Sequence, residues 1–314
     1  VGLPSDILAT ASVNGQPAAS AEQVRVVALD LDGTILEPGM HLAAPLVSTL
    51  QALAGSGVCC VTATGRPLDY QLELFARHGL GSAVGVPAAL MADERELFLA
   101  GDCTTFGMPS RPLRSAEYRP FDEWNDAVRA RWRHLHTSAM DWLERLQQEA
   151  AGRGWSAAPL LTDEVAFARG LPTLLCARAE EATALHDWLT AALAAEAGGL
   201  LTCSRNVRLV QLQDIRVGKG PVLAALARQW AVPPRQVLAI GDSLNDLSML
   251  DGRFGFQVAT VGNADQRIAA AVRSNGGYVA EGRLGAGVLE ILHANGVGGL
   301  APTRDEGVDQ VVVV

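Results

Sequence analysis

The chain has little that would tie it to a membrane, to nucleic acid or to an oxidising compartment. Its five cysteines, Cys59, Cys60, Cys103, Cys176 and Cys203, are odd in number and contain no C-x-x-C spacing. Neither a complete disulfide set nor a cysteine zinc site is written in them. Cys59 and Cys60 are adjacent within an apolar run and read as small hydrophobes of a reducing compartment. The six histidines show no metal-ligand spacing. No stretch is long and apolar enough to span a bilayer, and the start has no basic segment leading into an apolar one, so a soluble, cytoplasmic protein is expected. The formal net charge of −9 argues against nucleic acid, whose phosphates need a basic footprint. No internal repeat is present, and nothing in the sequence sets an oligomeric state.

Apolar residues are plentiful instead, at 49% of the 314 positions, enough for a real core and a length that suits two modest domains. The run Val26-Val27-Ala28-Leu29 ends abruptly in Asp30-Leu31-Asp32-Gly33-Thr34. In a strand, residues i and i+2 share a face, so both acids are expected to project from the strand's carboxyl end toward one point. Two like charges placed together need a cation or a shared proton. An acidic surface turn or a calcium loop is the alternative for this segment alone.

Three further segments carry chemically capable residues, two of them apolar strands that exit into polar residues and one the start of a helix. Val58–Ala63 leads into Thr64-Gly65-Arg66, a hydroxyl and an approachable backbone N–H suited to a phosphate oxygen. Gly218-Lys219-Gly220 opens a helix with Pro221 in its first turn and supplies a positive charge. Val237–Ile240 exits into Gly241-Asp242-Ser243-Leu244-Asn245-Asp246. Each has a bland reading: Thr64 as a helix cap, Arg66 and Lys219 as solvated charges. Lys219 is not a P-loop lysine, since Gln213 and Gly220 stand where that motif needs glycine and Ser or Thr.

In these four segments, and over about residues 24 to 295, the chain resembles the haloacid dehalogenase-like phosphohydrolases, in particular the Cof-type branch with a large inserted cap. The Gly-Asp-Ser-x-Asn-Asp form of the last segment is also similar to that of sucrose-phosphate and mannosyl-phosphoglycerate phosphatases. The resemblance implies a Mg²⁺-dependent phosphatase acting on a small phosphorylated metabolite, a sugar phosphate or glycosyl-phosphoglycerate-like compound. It implies Asp30 as nucleophile, Asp32 as acid and base, and Lys219 as a catalytic charge. Gly33, Thr64, Gly65, Arg66 and Asn245 would bind the substrate. The metal would be held by Asp30, the Asp32 backbone carbonyl and Asp242, with Asp246 acting through a water or orienting Lys219. A phosphomutase of the same superfamily, or a non-catalytic binding module, are the alternatives.

Strands alternating with helices predict an α/β fold, a doubly wound, Rossmann-like parallel sheet with helices on both faces. About 150 residues separate Arg66 from Lys219, far more than a connection needs, so an α+β cap is expected there. The expected boundaries are a loosely ordered segment at 1–23, a catalytic core at 24–92 and 207–296, the cap at 93–206, and a tail at 297–314. Helices are predicted at 137–152 and 180–197 in the cap, with strands at 171–176 and 207–212. Five of the six tryptophans fall in or beside the cap, and the run Arg129–His134 reads as a solvated basic face or a receiver of an anionic substrate.

Overall fold

The computed structural model describes residues 23–101, 107, 116–160, 167 and 168, 171–196 and 199–299. The first 22 residues, Cys103 and the valine-rich tail from 300 onward lie outside them.

In chain order the core begins with β1 (Val26–Leu29), a small hairpin of β2 (Leu36–Glu37) and β3 (His41–Leu42), and α1 (Ala44–Gly55). It continues through β4 (Cys59–Ala63), α2 (Leu68–Arg77), β5 (Ala89–Ala92), β6 (Glu96–Ala100) and β7 (Tyr118–Pro120). A second layer comprises α3 (Asp122–Gly152), β8 (Ala157–Pro159), β9 (Thr173–Cys176), α4 (Ala179–Ala195), β10 (Leu201–Asn206) and β11 (Leu209–Asp214). The chain then returns through α5 (Lys219–Gln229), β12 (Val237–Gly241), the single turn α6 (Leu247–Leu250), β13 (Gln257–Thr260), α7 (Gln266–Ser274), β14 (Tyr278–Val279) and α8 (Leu284–Ala294).

The main sheet has the order β14-β13-β12-β1-β4-β5-β6-β7. From β14 to β5 every pairing is parallel. Val26 and Ala28 of β1 enter one hydrophobic layer and Val27 and Leu29 the other. A strand covered on both faces has no polar alternation, which is why it reads as an unbroken apolar run. From β1 the chain moves outward to β4, and from its neighbour β12 it moves the other way to β13. The crevice at that reversal, beyond the strands' carboxyl ends, is where sheets of this kind bind ligands.

The cap is a four-stranded antiparallel sheet, β10-β11-β9-β8, packed on α3 and α4. Its limits differ from those expected. β6 and β7, inside the expected insertion at 93–206, extend the core sheet as antiparallel edge strands. β11, beyond residue 207, belongs to the cap sheet. The physical reason is that strand signals do not say which sheet they join. The helix expected at 137–152 starts at Asp122 and crosses between the two layers. Asn125 is bonded to both backbone groups of Leu97 in the core, whereas Trp132, Leu135, Ala139, Trp142, Leu143, Leu146 and Ala150 fill the cap. Trp142 is buried there in ordinary packing. Cys59, Cys60, Cys176 and Cys203 are unpaired thiols, and burial pushes Cys59 up to about 12. No helix among the described residues is long and apolar enough to cross a membrane.

Candidate active site

The strand rule does not govern the first acidic pair, because β1 stops at Leu29. The Asp30 N–H continues the ladder to the Ile240 carbonyl at 3.0 Å. After it the Leu31 carbonyl accepts from the N–H groups of Thr34, Ile35 and Leu36 at 3.3, 3.0 and 3.0 Å, a tight turn. Asp30 is 3% exposed and points into the crevice toward Lys219. Asp32 instead turns to Arg66, which donates to it through Nε at 2.8 Å and Nη2 at 2.6 Å. Its side chain is 34% exposed. The two carboxylates therefore have different partners, Asp30 with Lys219 and Asp32 with Arg66. Arg66, which stacks over Tyr70 at 4.6 Å, is no free surface charge.

Gly33 has φ +84°, and a Cβ there would lie 2.3 Å from Asp242 Oδ2, so only glycine lets the two loops meet. Its carbonyl accepts from Asn263 Nδ2 at 2.7 Å. Thr34 Oγ1 lies 3.3 Å from Asp30 Oδ2 and 3.1 Å from Asp242 Oδ1, bridging the two acids.

Lys219 is the only lysine of the chain and is fully buried. Its Nζ donates to Asp30 Oδ1 at 2.7 Å and to Asp246 Oδ1 at 2.6 Å. Burial disfavours the ammonium, but Asp246, Asp30 and Glu94 outweigh it and hold Lys219 protonated. Asp246 Oδ2 accepts from the N–H groups of Asp242 and Ser243, each at 2.9 Å. Of the two roles expected for Asp246, orienting Lys219 is the one visible here. Burial raises Asp30 well above the ordinary carboxylate value despite Lys219. Asp242 is pushed up to about 7, by burial and then by Asp246.

Thr64 is buried, and its hydroxyl accepts from the Arg66 N–H at 3.2 Å, which leaves the hydroxyl proton for another acceptor. Gln71 braces this loop, donating to the carbonyls of Arg66 and Met91 at 2.9 Å each. Asn245 is pinned at both ends: Ser243 Oγ donates to its Oδ1, and its Nδ2 donates to Glu94 Oε1 at 2.8 Å. Asn263 and Glu94 went unrecognised in the sequence. Asn263 had a signal, a Gly-Asn-Ala step just after a strand. Glu94 had none, since a hairpin turn carries no mark of what lies across from it.

Asp30, Asp242 and Asp246 bring carboxylate oxygens within 4.8 Å of one another. Two buried acids and the half-buried Asp242 against one ammonium leave excess negative charge, and hard oxygen donors suit Mg²⁺. The donor set fits such an ion, with Asp30 and Asp242 as the direct ligands because Asp246 is taken up by Lys219 and two backbone N–H groups, whereas Asp30 Oδ2 and Asp242 Oδ1 meet only the Thr34 hydroxyl. The Asp32 carboxylate is not part of this cluster.

Over this site lies one face of the cap sheet. Pairing across β9, β10 and β11 sets Thr173, Thr202, Ser204, Gln211 and Gln213 on the side away from the cap's own core. Thr173, Ser204 and Gln213 are nevertheless buried, and the Gln213 amide sits against Gly218, 3.1 Å from where a Cβ would be. The face carries no charged side chain; Leu175 and Leu209 pair at one end of it and the remainder is polar. The cap is tied down by Arg205 to Asp265 at 2.7 Å and by Arg267 to Asp187 at 3.3 Å. The expected basic face is not free to receive substrate: Arg129 pairs with Glu96 at 2.9 Å, and Arg131 pairs in bidentate fashion with the buried Asp214 at 2.7 Å.

Comparison with known proteins matches residues 176–294 to the family model of sucrose-6F-phosphate phosphohydrolase. The chain is 25% identical to a phosphoglycolate phosphatase of Methanoculleus marisnigri over 86% of this chain and 95% of that protein. It is 25% identical to an HMP-PP phosphatase of Escherichia coli over 72% of this chain and 80% of that protein. Among solved structures, the sucrose-phosphatase of Synechocystis, crystallised with sucrose and phosphate, superposes with TM-score 0.59 at 18% identity. The match covers 87% of this chain and 98% of that one, a likeness of fold.

Proposed function

We propose that the chain, similar as it is to haloacid dehalogenase-like phosphatases of the capped Cof-type and sucrose-phosphatase-like kind, hydrolyses the phosphomonoester of a small, hydroxyl-rich metabolite. A sugar phosphate or a glycosyl-phosphoglycerate-like compound fits best. Asp30 attacks phosphorus in line and forms an aspartyl-phosphate, which divides one difficult displacement into two. Lys219 holds Asp30 and Asp246 in register and stabilises the charge on the transferring group. Asp32, oriented by Arg66, gives a proton to the leaving oxygen and then takes one from the attacking water. Thr64, the Gly65 N–H and the free N–H of Asn245 receive the phosphoryl oxygens. A Mg²⁺ ion held by Asp30 and Asp242 would offset the anionic charge that otherwise repels a carboxylate nucleophile.

The observation that carries this reading is the buried Asp30–Lys219–Asp246 chain, with both contacts under 3 Å, at the reversal point of the sheet. The substrate class is supported by the uncharged polar cap face: hydroxyls and amides pair with hydroxyls, whereas a strongly anionic leaving group would call for free arginines. A phosphate-release screen over a panel of phosphorylated metabolites, with Mg²⁺ present, tests it. Sugar phosphates should be turned over with kcat/KM at least tenfold above phosphoglycolate. Conversion to a phosphate isomer without release, or a preference for phosphoglycolate over every sugar-bearing ester, would contradict it.

A further inference from the structure

Glu94 is a buried carboxyl group that none of the four polar segments accounts for. It lies in the tight turn between β5 and β6, where Asp93 and Glu94 both adopt left-handed backbone, with φ of 51° and 56°. Turns of this hand favour Asn-Gly or Asp-Gly, because a longer side chain at the second position is strained. The chain places a glutamate there and leaves only 1% of it exposed. Strain of this sort is kept where surrounding structure holds a side chain in place for function.

Three contacts show what Glu94 holds. Its N–H donates to the Thr64 carbonyl at 3.0 Å, and its carbonyl accepts from the Gly218 N–H at 3.1 Å. Its carboxylate Oε1 accepts from Asn245 Nδ2 at 2.8 Å and lies 3.3 Å from where a Cβ on Gly65 would be. One residue thus joins the Thr64–Gly65 loop, the residue before Lys219, and Asn245. The second oxygen, Oε2, is buried with no hydrogen-bond partner among the described residues, a cost that a purely structural position does not retain.

We propose that Glu94 is a positioning residue of the phosphoryl pocket: it fixes the Asn245 amide so that the second N–H meets a phosphoryl oxygen, and it locks that amide to the Thr64–Gly65 and Gly218–Lys219 segments. This deepens the phosphatase reading and rests on it.

The test compares the full-length wild type with Glu94→Gly, Glu94→Asn and Glu94→Gln, in Mg²⁺. Two quantities are measured: binding of inorganic phosphate by calorimetry, and kcat and KM for p-nitrophenyl phosphate. Glycine relaxes the turn while removing the carboxyl. Asparagine tolerates the same backbone and is too short to reach Asn245. Both variants should remain folded, bind phosphate about tenfold more weakly, the loss of one charge-assisted contact, and show a raised KM. Glu94→Gln keeps an acceptor oxygen and should stay within about twofold of wild type. Asn245→Ala should cost no more in the Glu94→Gly background than the larger single effect, because the two residues act as one unit. Phosphate binding by Glu94→Gly or Glu94→Asn at wild-type strength overturns the proposal, as does full additivity with Asn245→Ala or no phosphate binding by the wild type. A wild type that binds phosphate but releases none from any ester contradicts the phosphatase reading instead, and the comparison of phosphate affinities still decides the role of Glu94.

Discussion

Lysine appears once in this chain, at 219, while the other 24 of its 25 basic residues are arginine. A compact ammonium fits between two buried carboxylates where a planar guanidinium would not. Removing it leaves those carboxylates unpaired, so Lys219→Met should lower stability by about 3–5 kcal/mol, as measured by urea unfolding. Asp30→Asn should do the reverse, because burial already disfavours the charge at this position. Unfolding in EDTA should show about 1 kcal/mol of added stability alongside lost hydrolysis, the trade expected of a strained functional group. The pH dependence has a definite sign. Asp242 moves from an ordinary 3.8 up to about 7, so between those values the folded state holds more protons than the unfolded one. Its contribution to metal-free stability is present below about pH 4 and lost as pH rises through about 7. Unfolding in EDTA at pH 5 and pH 8 should show the lower midpoint at pH 8, with a smaller difference in Asp242→Asn. Asp30, Asp242 and Lys219 were readable in the sequence because each ends or follows an apolar strand or opens a helix. The direction of Asp32 was not, since the chain turns immediately after β1 and alternation no longer applies. Its partner Arg66 lies 34 positions away, a separation about which local pattern is silent.

The helix α3 shows how an element can serve two layers and why only half of it was legible. Its later half, from about 137, has apolar positions at helical spacing. Its first half carries Asp122, Glu123, Arg129, Arg131 and Arg133, of which Arg129 pairs with Glu96 and Arg131 with Asp214, both on distant strands. Those two arginines dock the helix to the core and to the returning chain, while Asp122, Glu123 and Arg133 are solvent-exposed. The consequence for cap removal is concrete. Deleting 93–206 would take β6 and β7 from the core sheet and should give an insoluble product. Replacing 131–214 with a short Gly/Ser linker keeps the Asn125 anchor on Leu97 and every residue proposed to act on phosphorus. That core should hydrolyse p-nitrophenyl phosphate weakly and lose preference among sugar phosphates. Solubility and the substrate profile of soluble material check this, and an unchanged profile would locate specificity in the core. On the cap's edge, Arg205 holds Asp265, whose N–H donates to the Asp242 carbonyl at 2.9 Å. Arg205→Ala should therefore raise KM several-fold while changing stability by less than about 1 kcal/mol, as expected for a partly exposed pair.

Across the whole molecule, the order of the four polar segments and the long gap between the second and third specified a doubly wound core with an inserted cap. The limits of the insertion were less legible, because an antiparallel hairpin looks the same whether it extends the core sheet or starts another. The site lies at the sheet's reversal point, and its groups come from β1, β4, the β5–β6 turn, α5 and β12, with the cap face above. No single segment contains the chemistry: Asp30 and Lys219 are 189 positions apart, and only the parallel pairing of β1 with β12 and β4 brings the segments together. The central claim is that Asp30 carries the phosphoryl group. Acid quenching after mixing with ³²P-labelled acetyl phosphate and Mg²⁺, followed by peptide mapping, measures this directly. Label on the peptide containing Asp30 in the wild type and in Asp32→Asn, and none in Asp30→Asn, is the predicted result. Undiminished labelling of Asp30→Asn, or phosphate release by that variant at the wild-type rate, would contradict the account.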